Sequence, residues 1–503
     1  MRLAWYGATV FLSSALLLVL EIVAGRLIAP YVGVSLYTWT SIIGVILAGL
    51  SLGNWLGGRW ADRGGDEAAA GITLAFSGLA SLGILLVLTL VAPVIQDSGL
   101  SLLGASFLFV LSLFFLPAVL LGVVTPLLTT LALALDSRAG HVVGRMHALA
   151  ALGSILGTFA AGYWLIQSFG TRSVVVGSGI ALLLLSVPFF LGRRRLRVPV
   201  AILLATVAVS ALTGARNGFL DPCDRESQYY CLRVVDVSGD VPLFGRAHGL
   251  VLDHLLHGIN HQLDAKVLIS PYVHLMDELA RDHLGAAADS ASYFFAGGGA
   301  YTHPRALRAR SPEARVVVAE LDPAVTRLAR DRMFLDTQGM EIIHQDARMA
   351  LSERSGERFD IVIGDVFHDV AVPYHLTTLE YAQLVKQRLV EEGLYAMNVV
   401  DAHPDPLLVK SLYKTLSEAF THVHVWLEAL PTVTERVTYV ISASDRAPPA
   451  RIDSRSGFAR SWQRLPEEML AVGTPLDALP VLTDDFVPVD RLISRLIIDG
   501  LGH

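Results

Sequence analysis

The chain has 503 residues, a formal net charge of −7 and only 17% charged residues, with a mean hydropathy of +0.52. That length exceeds one small domain, and that hydropathy excludes a wholly soluble chain of ordinary composition. The acidic balance, with no basic stripe carrying interleaved aromatics, argues against a nucleic-acid partner.

The apolar excess lies at one end. From Leu3 to about Gly214 long apolar runs alternate with short polar joints, and from about Asn217 the composition is globular, so a boundary is expected near Ala215. Run lengths predict seven membrane spans: 4 to 25, 36 to 57, 69 to 92, 102 to 133 with Pro117 and Pro126 inside it, 147 to 168, 172 to 191, and 198 to 214. The first run has the length of a span and lacks a small-residue cleavage site, so a removable signal peptide is not expected. Span one carries Glu21 and Arg26, and an ionisable group near mid-bilayer costs about 2.5–3.5 kcal/mol unless it finds a partner, a cavity or the interface. Gly49, Gly53 and Gly57, and again Gly153 and Gly157, have the small-xxx-small spacing of close helix packing.

Arg59 and Arg63, Arg138 and Arg145, and Arg193 to Arg195 with Arg197 fall in alternate joints, which puts the N-terminus in the cytoplasm. An odd number of spans then puts the C-terminal domain outside. Cys223 and Cys231, the only cysteines, flank a short polar segment after the last run. A disulfide there fits an extracytoplasmic domain, and two buried thiols are the alternative. Cytoplasmic synthesis of the ligand class discussed below points the other way, so the side of the soluble domain stays open. The joint from Gly57 to Gly64 resembles the loop between the second and third spans of major-facilitator transporters. Seven spans make only half of such a transporter, so transport is the runner-up.

In the soluble half, short strands are expected from Tyr229 to Val237 and from His248 to Asp253, then a helix from Tyr272 to Leu284. Strands near 292 to 296, 315 to 320, 340 to 344, 359 to 364, 393 to 399, 421 to 427 and 437 to 443 follow, with helices in most gaps. That alternation predicts a doubly wound, Rossmann-like α/β fold with a parallel sheet and its ligand at the strands' carboxyl ends. The domain expectation is 1–215 for a transmembrane helical bundle, 216–270 for a small β subdomain, and 271–503 for the Rossmann-like domain.

Four strand ends carry candidate ligands. Gly297, Gly298 and Gly299 follow the first, Glu320 and Asp322 the second, Asp346 with Ala347 the third, and Asp365 the fourth. Glycines let backbone approach a ligand, and an acidic residue some twenty positions on suits two ribose hydroxyls. On this reading Glu320 binds the ribose, Asp346 with Ala347 meets the adenine edge, and Asp365 faces the reacting centre. His254, His257 and His261 have a metal-like spacing, but strand and turn, not helix, carry them, and no metal is expected. Thr483 to Asp485 suit either an acceptor site or a helix cap.

The arrangement resembles the spermidine synthase (polyamine aminopropyltransferase) family and its membrane-fused bacterial relatives. The shared residues are Glu226, Ser227 and Tyr229 with Tyr230, Leu252-Asp253, Gly297 to Gly299, Glu320-Leu-Asp-Pro, Gln345-Asp346-Ala347, Phe359 to Asp365, and Thr483-Asp484-Asp485 with Pro488. In the apolar half Glu21, Arg26, Pro30 and Gly33 are similar to those fused proteins. The resemblance implies a multi-pass protein of the bacterial inner (cell) membrane that moves an aminopropyl group from decarboxylated S-adenosylmethionine to a small amine. It implies Asp365 as the general base, with Tyr229 and His368 or Asp369 on the acceptor side. Membrane lipid is the other expected partner, and a homodimer is an open option.

Departures from the family pattern sit at the amine end. Ala300 replaces the aspartate that follows the glycines, Tyr230 and His257 replace glutamines, and only Tyr272 is left of a Tyr-His-Glu triplet, with His274 out of register. His368, beside Asp369, stands where a second acidic residue is usual. Methyl transfer from S-adenosylmethionine is therefore the nearest alternative, and a non-catalytic nucleoside or polyamine sensor or transporter is another.

Overall fold

The computed structural model describes residues 2–190, 197–366 and 372–498. Within these the chain divides into two compact units, Met1–Cys231 and Leu232–His503.

Seven helices of the first unit are long and apolar enough to cross a membrane: α1 (Arg2–Val32), α2 (Leu36–Asp62), α3 (Glu67–Gln96), α4 (Leu102–Leu133), α5 (Ala139–Phe169), α6 (Thr171–Phe189) and α7 (Val198–Ala215). The fifth starts earlier than its apolar run, because the polar residues from Ala139 to Arg145 continue the same helix. Small residues face inward. A β-carbon on Gly53 would stand 2.1 Å from the Val119 carbonyl oxygen of α4, and one on Gly153 would stand 2.1 Å from that of Phe11 in α1. Large apolar side chains such as Trp55, Leu156 and Tyr163 point outward, as lipid contact requires.

The division falls later than the composition change near Ala215 because the segment after α7 packs on the helices. Arg26 donates to the carbonyls of Tyr229 at 2.5 Å and Ser227 at 3.0 Å. Glu226 accepts from the Thr171 amide at 2.7 Å and hydroxyl at 2.8 Å. Cys223 and Cys231 form a disulfide.

The strands begin with the two-residue β1 (Arg225–Glu226). An antiparallel meander follows: β2 (Cys231–Asp236), β3 (Ala247–Leu252) and β4 (Leu255–His261). After α8 (Pro271–Leu284) comes a large sheet. Its parallel half contains β5 (Ser292–Ala296), β6 (Arg315–Ala319), β7 (Met340–Ile343), β8 (Phe359–Gly364) and β9 (Leu389–His403). The other half contains β10 (His422–Leu427), β11 (Glu435–Ser444), β12 (Arg451–Asp453) and β13 (Ser461–Arg464), in overall order β12-β13-β10-β11-β9-β8-β5-β6-β7.

The parallel sheet expected from the sequence is present in one half, and the sheet as a whole is mixed. β5 pairs parallel with β6 and β8, and β8 with β9, but β11 pairs antiparallel with β9 and β10. Short connections after β10 and β11 leave no room for the crossover helix that a parallel pair needs. Strand order reverses between β5 and β8, and such a switch point opens a crevice at the carboxyl ends. Phe294, Val317, Val362 and Met397 are buried in the core that holds these strands in place.

Candidate active site

Gly297 leaves β5 with φ +90, and a β-carbon there would lie 2.1 Å from the Asp365 carbonyl oxygen. Only glycine tolerates both conditions. The adjacent loops are locked by backbone bonds, from the Gly297 amide to the Ala319 carbonyl and from the Asp365 amide to the Ala296 carbonyl, each 2.9 Å.

Glu320 turns back onto this loop. Its Oε2 accepts from the amides of Gly298 at 2.9 Å and Gly299 at 3.2 Å, and its Oε1 from the Asp322 amide at 2.8 Å. Burial pushes this carboxyl up from its usual range, and the three amides only partly offset that. The carboxylate is thereby oriented, with lone pairs left for a diol. Asp322 does different work: its Oδ1 caps the helix α10 (Pro323–Arg332) through the Ala324 amide at 2.8 Å.

Asp346 caps α11 (Ala347–Glu353), accepting from the amides of Arg348 and Met349, while its Oδ2 lies 2.7 Å from His375 Nε2. Burial raises this carboxyl, but His375 and the helix amides outweigh it and hold it low. Ala347 is buried at the first position of that helix. Arg348 reaches over to Asp484 with two bonds of 2.7 and 2.6 Å, and Thr378 donates to the same carboxylate at 2.8 Å. Asp484 is thereby tied to the helix that Asp346 caps.

Asp365 follows β8. Burial, helped by the charge of Glu320, raises its carboxyl to about 7, against hydrogen bonds from Asn398 and Tyr272 that favour the charged form. A buried acid titrating near neutrality, beside a glycine loop at a switch point, has the properties of a general base. Tyr272, itself raised by burial, also reaches the His257 carbonyl at 3.4 Å. Sequence reasoning did not pair Asn398 or Tyr272 with Asp365. Asn398 was legible only as a polar residue late in an apolar strand.

Glu320, Gly297 to Gly299 and Asp365 are thus brought into one crevice, with Asp346 at the end of the next strand. Tyr229 falls in the first unit, where its carbonyl accepts from Arg26. His368 and Asp369 lie outside the described residues. Ala300 is buried and its carbonyl takes the Asn260 amide at 2.7 Å. His261 is held by Phe244 and Asp264. Among the described residues one cluster has metal-ligand types, Asp221, Cys223 and Glu226, and the Cys223 sulfur is committed to the disulfide.

No family model matches the chain. It is 23% identical over 239 residues to a probable polyamine aminopropyl transferase of Bifidobacterium longum (strain NCC 2705), covering 43% of this chain and 53% of that protein. It is 30% identical over 105 residues to the polyamine aminopropyltransferase of Vibrio vulnificus (strain CMCP6), covering 20% of this chain and 34% of that protein. A solved probable spermidine synthase from Corynebacterium glutamicum ATCC 13032 aligns with TM-score 0.43 and 22% identity, over 50% of this chain and 93% of that one. The chain spans about half, or less, of the length of the curated relatives it matches. The names of the curated relatives agree with the resemblance carried by the glycine loop, Glu320, Asp346 and Asp365.

Proposed function

We propose that the chain is a membrane-anchored, spermidine-synthase-like transferase that moves an aminopropyl group from decarboxylated S-adenosylmethionine to an amine. The observation that carries this reading is Asp365, a buried carboxyl poised at about 7 beside a nucleoside cradle. The similarity to curated polyamine aminopropyltransferases supports it.

Glu320 holds the ribose hydroxyls, and the glycine loop and Asp346 hold the rest of the nucleoside. The ionised Asp365 takes a proton from the acceptor ammonium and frees the nitrogen lone pair. Nitrogen then bonds to the donor's carbon as the carbon–sulfur bond breaks, its electron pair neutralising the sulfonium. Because the sulfonium is already activated, positioning and proton removal supply most of the effect. Tyr229, His368 and Asp369 are proposed for the acceptor side.

A second reading has its own observation. The buried methyl of Ala300 brings no negative charge beside the loop, so a carboxylated donor and methyl transfer are also compatible with the site.

Full-length protein incubated with each labelled donor and a panel of amines separates the two readings. Aminopropylated product is expected, and methylated product alone would favour the second. Asp365→Asn is expected to lower turnover at least about 100-fold while nucleoside affinity stays within about twofold. Unchanged turnover in that variant would remove Asp365 from the mechanism.

A further inference from the structure

Under the glycine loop lies a cavity of about 10 Å³ whose wall includes Gly298, Ala300, Thr302, His303 and Asp365. A space of that size admits one water, provided that polar groups hold it. Two such groups are present and unsatisfied. Thr302 Oγ1 and both ring nitrogens of His303 are buried without a hydrogen-bond partner, on residues 6% and 5% exposed. Leaving both orphaned would cost about 1–3 kcal/mol each.

The His303 ring cannot turn elsewhere. Phe295 packs against it edge-on at 5.1 Å, and its Nε2 lies 3.3 Å from Asp277 Oδ1. Asp277 is in turn clasped by both guanidinium nitrogens of Arg310. Burial pulls the Asp277 carboxyl up, but His303 and Arg310 prevail and hold it well below the usual carboxylate range. An ionised Asp277 favours the tautomer with the proton on Nε2 and leaves Nδ1 as an acceptor. The charged and titratable groups around the ring are therefore Asp277 from α8 and Arg310 from its own helix, and His257 and Asp365 share the cavity wall with it.

We propose that this cavity holds a single water that Thr302 and His303 fix against Asp365, giving the base a proton route on the side away from the acceptor. The water accepts from the Thr302 hydroxyl and donates to His303 Nδ1 and to the Asp365 carboxylate. Once Asp365 has taken the acceptor's proton, its hydroxyl donates to the water, and the water passes one of its own protons to Nδ1. The resulting imidazolium is paired with Asp277 while Asp365 is again a carboxylate, and after the product leaves the proton returns through the same water and Asp365 to the emptied crevice. Thr302 and His303 are positioning residues: they act through Asp365. The inference rests on Asp365 being the base, but the water contact itself is measurable without turnover.

The test is an infrared pH titration of the Asp365 carboxyl in full-length protein in lipid nanodiscs, the band being assigned by its loss in Asp365→Asn. Removing a donor to the charged form raises an acid's midpoint. Thr302→Val, which keeps the side-chain shape, and His303→Phe are each expected to raise the midpoint by about half a unit to one unit. The acid limb of the kcat profile should move by the same amount, with the KM for the donor unchanged. Unmoved midpoints in variants that melt like the parent overturn the proposal, and Thr302→Val alone decides if His303→Phe does not fold. A raised midpoint in a protein that alkylates no amine keeps the water and sinks the enzyme reading. Asp365-dependent turnover with an unmoved midpoint does the reverse.

Discussion

Asp365 is defined by a contest between burial, which favours the neutral acid, and hydrogen bonds from Asn398 and Tyr272, which favour the anion. Burial wins by a margin that leaves both forms populated near neutrality. A shifted acid does not by itself mark a base, because Asp401 is also raised to about 7 by burial. Asp401 accepts from the amides of Ala402, Leu408 and Val409, however, and so serves as a helix cap. What separates the two is their place: Asp365 borders the glycine loop, and Asp401 on β9 points its carboxylate at the amides of the following helix. Both shifts have the same sign for stability. An acid raised in the folded state contributes stability that is full below its unfolded value near 4 and is lost as pH climbs through about 7. For Asp365 the loss amounts to at most about 4 kcal/mol. The melting temperature of the second unit is therefore expected to fall between about pH 4 and pH 7, and Asp365→Asn should flatten part of that fall. A variant with the parental pH slope would show that the carboxyl is not buried as described.

Among the elements, α13 (Leu407–Ser417) shows how the far end of the sheet is held in place. Lys410 is fully buried on it, with its ammonium 2.5 Å from Asp405 and 3.0 Å from the Thr474 carbonyl. Asp405 in turn accepts from the Thr474 amide and hydroxyl, so one ion pair fastens a distant loop. Lys410→Ala is expected to cost about 3–5 kcal/mol in denaturant unfolding, because it strands a desolvated carboxylate; a loss below about 1 kcal/mol would refute that role. Nothing local in the sequence announced that this pair, five residues apart, would be completed by Thr474 far along the chain. The elements themselves were legible: the strands at 292 to 296 and 359 to 364 and the helix from Tyr272 onward lie where apolar runs bounded by turn residues placed them. Strand direction was not, since a run of valines reads alike in parallel and antiparallel pairs, and β9 runs from Leu389 to His403, well beyond its apolar stretch. In the site, residues at strand ends (Glu320, Asp346, Asp365) could be read, because topology alone brings such ends together. Their partners could not: His375, Tyr272 and Asn398 reach them from elements whose packing the local sequence does not encode.

For the whole molecule, the side of the membrane on which the second unit lies turns on α7. Arginines mark the ends of α2 and α4, and Arg193 to Arg195 precede α7 in the sequence; by the positive-inside rule these joints are expected in the cytoplasm, and a chain that crosses through α7 would emerge on the other side. Cys223 and Cys231, joined in a disulfide just beyond that helix, agree, since such bonds persist in oxidising compartments. Few residues of α7 are buried by the rest of the chain, so its neighbours hold it less firmly than the other spans are held. A helix lying along the interface would return the second unit to the cytoplasm. The expected outcome is crossing: a C-terminal phosphatase fusion active, a fluorescent-protein fusion dark, and both cysteines refractory to a maleimide until reduced. A bright fusion with two freely alkylated thiols would establish the reverse, with the donor available at the site without transport. If crossing is confirmed, the proposed adenosyl sulfonium donor would have to be delivered through the membrane to reach Asp365. Turnover in whole cells would then depend on that delivery, whereas turnover of the purified protein would not.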